Sequence, residues 1–160
     1  MLQHLLREES VKVGFEAASQ EEAIRKLIDL LPSWGLSPED RENVYSRILA
    51  REGYGTTAIG EGIALPHCIF AGVSLPLASL GISREGIDFP SLDGLPVHIA
   101  FLLVLPDTED AGQMKSQILH SAGSFFRDRF WRERLKIAGS AQEAYELIVR
   151  EAGSELQMAG

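Results

Sequence analysis

One histidine in this chain of 160 residues stands in a frame that suits chemistry at its ring. His67 closes the segment GYGTTAIGEGIALPHC, residues 53 to 68, directly after Pro66. Proline holds its own φ at about −65° and limits the backbone just ahead of the imidazole. Gly60 and Gly62 carry no side chain that would block approach by a partner or a phosphate. An imidazole with an unperturbed pKa of about 6.5 is mostly neutral at pH 7. Its free nitrogen can attack phosphorus without the general base that a serine requires. On composition alone, a lone loop histidine is more often a plain surface residue. The glycine-rich frame narrows that preference without reversing it.

Arg51 is the second candidate, and two readings of it stay open. It falls near the end of an expected helix, where a cation suits the macrodipole. A guanidinium there could also hold phosphoryl oxygens through paired hydrogen bonds. Thr56 and Thr57 could donate hydroxyls to the same group or simply cap the turn. His98 opens an apolar stretch and reads as structural, and His4 lies near the amino terminus. The histidines at 4, 67, 98 and 120 show no close ligand spacing, so neither a metal nor a cofactor is expected. Cys68 adjoins His67, and neighbours on an extended segment point to opposite sides, which argues against a Cys–His pair.

The elements that must position these residues follow from periodicity and punctuation. Residues 11–15 suggest a short strand. Ser19-Gln20-Glu21-Glu22 reads as a capping box, followed by Ala23, Ile24, Leu27, Ile28 and Leu31 at helical spacing and a stop at Pro32. Ser37-Pro38 starts a second helix with Val44, Ile48 and Leu49 on its buried stripe, ending near Arg51. Four glycines and two threonines make residues 53–68 a poor helix and a poor regular strand, except for a short strand at 63–65 that delivers Pro66 and His67. Residues 75–82 and 97–105 read as strands; VHIAFLLVL is apolar on both faces and is expected at the sheet centre. GIDFPSLDGLP, between them, reads as loop.

The last third is helical: residues 113–126, then 130–137, then a helix opened by the box Ser140-Ala141-Gln142-Glu143 and running through Ile148. The tail from 153 is expected to fray. On the first of these helices, Lys115 falls within the arc of Met114, Ile118, Leu119, Ala122 and Phe126, while His120 falls nearly opposite. Lys115 is therefore expected to face the body of the protein and His120 the solvent. The whole chain, 1–160, reads as one layered α/β domain with its core at about 5–152, a mixed central sheet flanked by helices on both faces.

Composition sets the outer limits. The net charge is −8, from 23 acidic and 15 basic side chains, which disfavours nucleic acid and anionic membranes as partners. Acidic residues interrupt the run Arg127, Arg129, Arg132, Arg134 and Lys136, which reads as a solvated helix face. A single cysteine permits no internal disulfide and fits a reducing, cytoplasmic setting. No run approaches the roughly 18 apolar residues of a membrane span.

ARE-GYGTTAIGEGIALPHC closely resembles the phosphorylation-site segment of the fructose/mannitol-type (type 2) enzyme IIA family of the bacterial phosphotransferase system. Arg51, Glu52, Gly55, Thr57, Ile59, Gly60, Gly62, Ile63, Ala64, Pro66 and His67 match its pattern. The resemblance runs from about Leu5 to Ala152, through GIDFPSLDGLPVHIAFLLVLP and FFRDRFWRERLKIAGSAQEAYELI. It implies an α/β fold and a phosphoryl group passed from a small HPr-like histidine phosphocarrier onto His67. Arg51 would then offset the charge of the transferred group, with Thr57, Gly60 and Gly62 around the phosphate. Cys68, Ala58 and Thr56 depart from the family pattern. The position of the family's second histidine, counted back from Phe125-Phe126-Arg127-Asp128, falls on Lys115. A lysine there is a fixed cation near the phosphate, or simply a snorkelling helix residue.

The resemblance leans toward the nitrogen-regulatory branch and a regulatory target protein as partner. A sugar-specific enzyme IIA that passes phosphate to a permease subunit is the first alternative. A regulatory binding module with vestigial phosphotransfer is the second.

Overall fold

The computed structural model describes the backbone of residues 1–159 and the side chains of residues 1–151. A short helix α1 (Leu2–Leu5) precedes strand β1 (Val11–Val13), and two helices follow, α2 (Gln20–Asp29) and α3 (Pro38–Glu52). Three short strands come next: β2 (Ala58–Gly60), β3 (Ile63–Ala64) and β4 (His67–Ile69). Two long strands, β5 (Leu77–Ile87) and β6 (Val97–Leu105), lead into α4 (Ala111–Arg127), α5 (Arg129–Ile137) and α6 (Ala141–Ala159). The backbone of α6 runs on past the expected end at Ile148 and through the tail expected to fray, while Gly160 and the side chains from 152 onward lie outside the described residues.

The strands form one mixed six-stranded sheet in the order β1-β5-β6-β3-β2, with β4 also paired to β6. β5 and β6 are antiparallel, whereas β1 on β5 and both β3 and β4 on β6 are parallel. β6 is central, as its two-sided apolarity predicts: every residue from Ile99 to Leu105 is buried. Its side chains alternate between two cores. Ala100, Leu102 and Val104 pack with Ile24, Leu27, Val44 and Ile48 of α2 and α3. Ile99, Phe101, Leu103 and Leu105 pack with Ile118, Ala122, Phe125 and Phe126 of α4. Helices thus cover both faces, and the α/β expectation holds.

Local chemistry sets the boundaries. Ser19 Oγ accepts the Glu22 amide at 3.1 Å, and the Glu22 carboxylate accepts the amide of Ala18 at 2.9 Å, one residue before the cap. The Ser140 box repeats this, with Glu143 accepting from Gly139 at 2.9 Å. Two differences from the sequence expectation concern strands. β5 begins after Pro76, which has no amide to donate, and runs on past an irregularity so that Ile87 pairs with Val97 and is buried. The glycine-rich segment forms three strands instead of one. β3 and β4 are a single path along β6, broken at Leu65-Pro66, where the Pro66 carbonyl still accepts the Leu103 amide at 3.0 Å. That break carries His67 to the sheet edge, beside the end of α3 and the flank of α4.

Candidate functional site

His67 is the first residue of β4 and only 7% exposed. It pairs with Leu103, on the α4 side of the sheet, while Cys68 pairs with Val104 and joins the opposite core. The two side chains therefore diverge. Burial pushes the Cys68 thiol up to about 12, with Arg47 opposing the shift, so no thiolate is at hand.

The imidazole Nδ1 lies 2.8 Å from the Leu65 carbonyl oxygen. A carbonyl only accepts, so Nδ1 carries the proton and Nε2 keeps its lone pair. Burial holds the His67 pKa below the ordinary 6.5; the Leu65 bond pulls it upward, and the charges of Arg51 and Lys115 push it down again. The ring is consequently neutral at pH 7. An NMR titration should show His67 protonating with a midpoint below 6.5, and a midpoint above that would contradict this electrostatic setting.

A cavity of about 350 Å³ opens on the ring. One wall holds Arg51, Thr56 and Thr57 from the end of α3 and the loop after it, with Ile59 and Leu65 below. Arg51 donates from Nη1 to the Gly55 carbonyl at 2.9 Å, leaving its other N–H groups to the cavity. The Thr57 hydroxyl does not serve as expected, because it donates to the Glu52 carboxylate. Thr56 is likewise committed, donating to the Pro90 carbonyl and accepting the Ala58 amide.

Gly60 and Gly62 lie outside this cavity, contrary to the expected role of admitting a phosphate. They make the β2–β3 turn with φ of +99° and +79°, around Glu61 at +57°. A side chain at Gly60 would press on Asp93, and one at Gly62 on His98. Asp93 clamps the turn by accepting the Glu61 amide at 2.8 Å. His98 is structural, donating from Nδ1 to the Ser83 carbonyl at 2.9 Å.

The other wall is α4. Lys115 is half-buried and near enough to lower the His67 pKa, but it is not on the cavity wall. His120 is exposed, yet it lines the cavity with Leu119, Gly123, Ser124 and Arg127, which corrects its expected solvent-facing position. The apolar arc of α4 marks only the face on the sheet. The neighbouring flank faces Arg51, Thr56, Thr57 and Ile59 across the cavity, a non-local arrangement that helix periodicity does not report. Ser124 and Arg127 were missed for the same reason, although their spacing from His120 and Gly123 puts them on one flank. Arg127 also pairs with Glu61 at 3.9 Å. The remaining basic run is mostly structural, with Arg132 capping the Phe126 and Arg127 carbonyls and Arg134 stacking on Phe130. Among the described residues, no three His, Cys, Asp or Glu side chains gather as metal ligands.

A neutral imidazole nitrogen thus faces a cavity with an arginine on its wall, at the edge of a mixed sheet. The chain belongs to the family described as "Phosphoenolpyruvate-dependent sugar phosphotransferase system, EIIA 2", whose model matches residues 4–151. It is thus a member of a family of phosphoryl carriers. The fructose-specific EIIA component of Haloferax volcanii is 34% identical over 131 residues, covering 82% of this chain and 83% of that protein. The fructose-specific EIIABC component of Bacillus subtilis is 32% identical over 90% of this chain, which spans only 22% of that protein's length. Among solved structures, the nitrogen regulatory protein IIA-Ntr from Neisseria meningitidis superposes with a TM-score of 0.79 at 26% identity, covering 91% of this chain and 97% of that one. No described helix is long and apolar enough to cross a membrane.

Proposed function

We propose that His67 is the phosphoryl acceptor and that the donor is a small HPr-like phosphocarrier carrying phosphohistidine. The observation that carries this reading is the Leu65 carbonyl on Nδ1, which leaves Nε2 as the nucleophile in a cavity walled by Arg51. In the transfer, the Nε2 lone pair forms the new N–P bond. The donor's P–N bond breaks and its electron pair returns to the donor ring, while Nδ1 of His67 keeps its proton on Leu65. The Arg51 guanidinium neutralises charge on the moving group. Tyr54, 93% exposed, and the exposed Leu92 give the loops beside the cavity an apolar surface for docking. The two loops are held together by the Leu92 amide on the Ala58 carbonyl at 3.1 Å. A cytoplasmic site of action agrees with the single buried, free Cys68.

The test is to mix the chain with phosphorylated carrier and map the product by mass spectrometry under alkaline conditions. One acid-labile phosphoryl group on His67 is expected; label on His98 or His120 would overturn the assignment. We favour a regulatory role, on the similarity to the Neisseria meningitidis IIA-Ntr fold. The sugar-transport reading is supported by the 34% identical Haloferax volcanii relative. A chase with the soluble domain of a sugar permease separates them: retained label supports regulation, and rapid loss of label supports transport. Label that accumulates only over hours from saturating donor would instead mark transfer as vestigial.

Lys115 is the fixed cation of this reading. An ammonium stays charged where an imidazole titrates. Lys115→His should therefore make hydrolysis of the phosphorylated state more pH-dependent between about 6 and 8 than in the unaltered protein. His120 also lines the cavity, so His120→Ala is measured alongside. If the unaltered protein is already strongly pH-dependent and His120→Ala removes that dependence, His120 is the titrating neighbour and Lys115 is not the operative cation.

A further inference from the structure

The hydrogen bonds at Leu65 are lopsided in a way that strand pairing does not explain. Ala58 pairs with Ala64 in the antiparallel β2–β3 ladder, so Thr57 stands opposite Leu65 one step further out. Opposed residues at a hydrogen-bonded position exchange two bonds, each amide to the other's carbonyl. Here only one is made, from the Leu65 amide to the Thr57 carbonyl at 3.0 Å. The Thr57 amide turns away and donates to Oε2 of Glu52 at 3.1 Å, and its hydroxyl donates to Oε1. The Leu65 carbonyl, left without that amide, takes the Nδ1 proton of His67 instead.

Glu52 is itself held in place. It is the last residue of α3, half-buried, and its Oε2 also accepts from the side-chain amide of Gln20, the first residue of α2, at 3.1 Å. Its carboxylate thus gathers one donor from a second helix and two from Thr57. Glu52 is not on the cavity wall, whereas Thr57 and Leu65 are, so the carboxylate acts on His67 through Thr57 and Leu65.

We propose that Glu52 is a positioning residue: by capturing the Thr57 amide it reserves the Leu65 carbonyl for His67 and so selects the imidazole tautomer that presents Nε2. The inference rests on His67 being the phosphoryl acceptor. Without the carboxylate, the Thr57 amide completes the ladder onto Leu65 and draws that carbonyl toward the strand. The ring then loses its anchor and populates the form with the proton on Nε2, which has no lone pair for phosphorus. A glutamine at 52 has an amide oxygen that can still accept the Thr57 amide, so position, not charge, is what the site requires.

The test uses two readouts on Glu52→Ala, Glu52→Met, Glu52→Gln and Thr57→Val. The first is the ¹⁵N NMR of the His67 ring in the unphosphorylated proteins, which reports the tautomer with no transfer reaction needed. The second is the rate of phosphoryl acceptance from a phosphorylated HPr-type carrier, resolved into its saturating value and the donor concentration at half-saturation. Glu52→Ala should raise the Nε2–H tautomer and lower the saturating rate about 10- to 100-fold, with half-saturation unchanged. Glu52→Gln should recover most of both. Thr57→Val keeps the amide contact and loses only the hydroxyl, so its shift should be small. Glu52→Met fills the same space without an acceptor and should behave like Glu52→Ala, which preserves the test if Glu52→Ala does not fold. An unshifted tautomer in Glu52→Ala, or in Glu52→Met should the first not fold, overturns the proposal. So does a Glu52→Gln protein as slow as Glu52→Ala with its tautomer unchanged, because that result assigns the effect to charge. If the unaltered protein is phosphorylated away from His67, the acceptor reading fails, and the NMR arm still decides whether Glu52 sets the ring.

Discussion

A His67→Gln protein is expected to fold normally and to take up no phosphoryl group from a phosphorylated carrier. The carboxamide can place its N–H on the Leu65 carbonyl, as Nδ1 does at 2.8 Å, so the buried acceptor keeps a donor. The residues that hold β4 on β6 are unaffected, because that pairing runs through the backbone opposite Leu103 to Leu105. What disappears is the nucleophile. The amide nitrogen has its electron pair delocalised into the carbonyl, and its oxygen would form an unstable mixed imidate. The effect should be complete within detection, larger than that of any neighbouring substitution. The measurement is intact-mass analysis after incubation with excess donor, beside circular dichroism and a thermal melt to verify the fold. Label that persists in the folded variant would move the acceptor to another histidine, with His120 the first to test because it shares the cavity.

Much of the arrangement was legible in the chain because local chemistry specifies it. Ser19, Ser37 and Ser140 cap their helices as expected, since a serine oxygen and the third amide of a helix meet by geometry alone. The two-sided apolarity of VHIAFLLVL placed β6 at the sheet centre for an equally local reason. Arg51, Thr57 and His67 do share one cavity, which the motif around them anticipated. What was not legible depends on backbone conformations and side-chain partners that residue type and spacing do not report. Thr57 left two readings open, a donor to the phosphate or a cap of the turn, and residue type alone does not announce that its hydroxyl donates to the Glu52 carboxylate. Gly60 and Gly62 looked like clearance for a phosphate, but three consecutive positive φ angles show that the turn itself requires them. His120 looked exposed in both senses, and only one holds. It is exposed, but toward a cavity whose other wall is Arg51, Thr56 and Thr57.

The second large effect belongs to Arg51. Arg51→Ala should slow phosphoryl acceptance by about 100-fold or more, the usual consequence of losing one preorganised contact to transition-state charge. Two consequences of the same loss oppose each other, and their sizes decide the outcome. Arg51 is one of the charges that hold the His67 pKa down. Removing it lets the pKa rise toward 6.5, so a larger fraction of the ring is protonated and inactive near pH 6, while little changes at pH 8. The lost contact to the phosphoryl oxygens, in contrast, costs the same at every pH. The profile should therefore drop throughout and bend downward at higher pH on its acidic side. Stability should change little, because Arg51 is exposed and its one recorded side-chain bond is to the Gly55 carbonyl. Arg51→Lys separates charge from geometry. It restores the cation and hence the acidic limb, but not the planar fork that grips two oxygens at once, so its rate should fall between the other two. Rapid-quench transfer from pH 6 to pH 8 measures all three proteins together. Rates in Arg51→Ala equal to those of the unaltered protein would reduce Arg51 to a helix-end cation. A loss confined to low pH would show that it acts on the imidazole and not on the phosphoryl group.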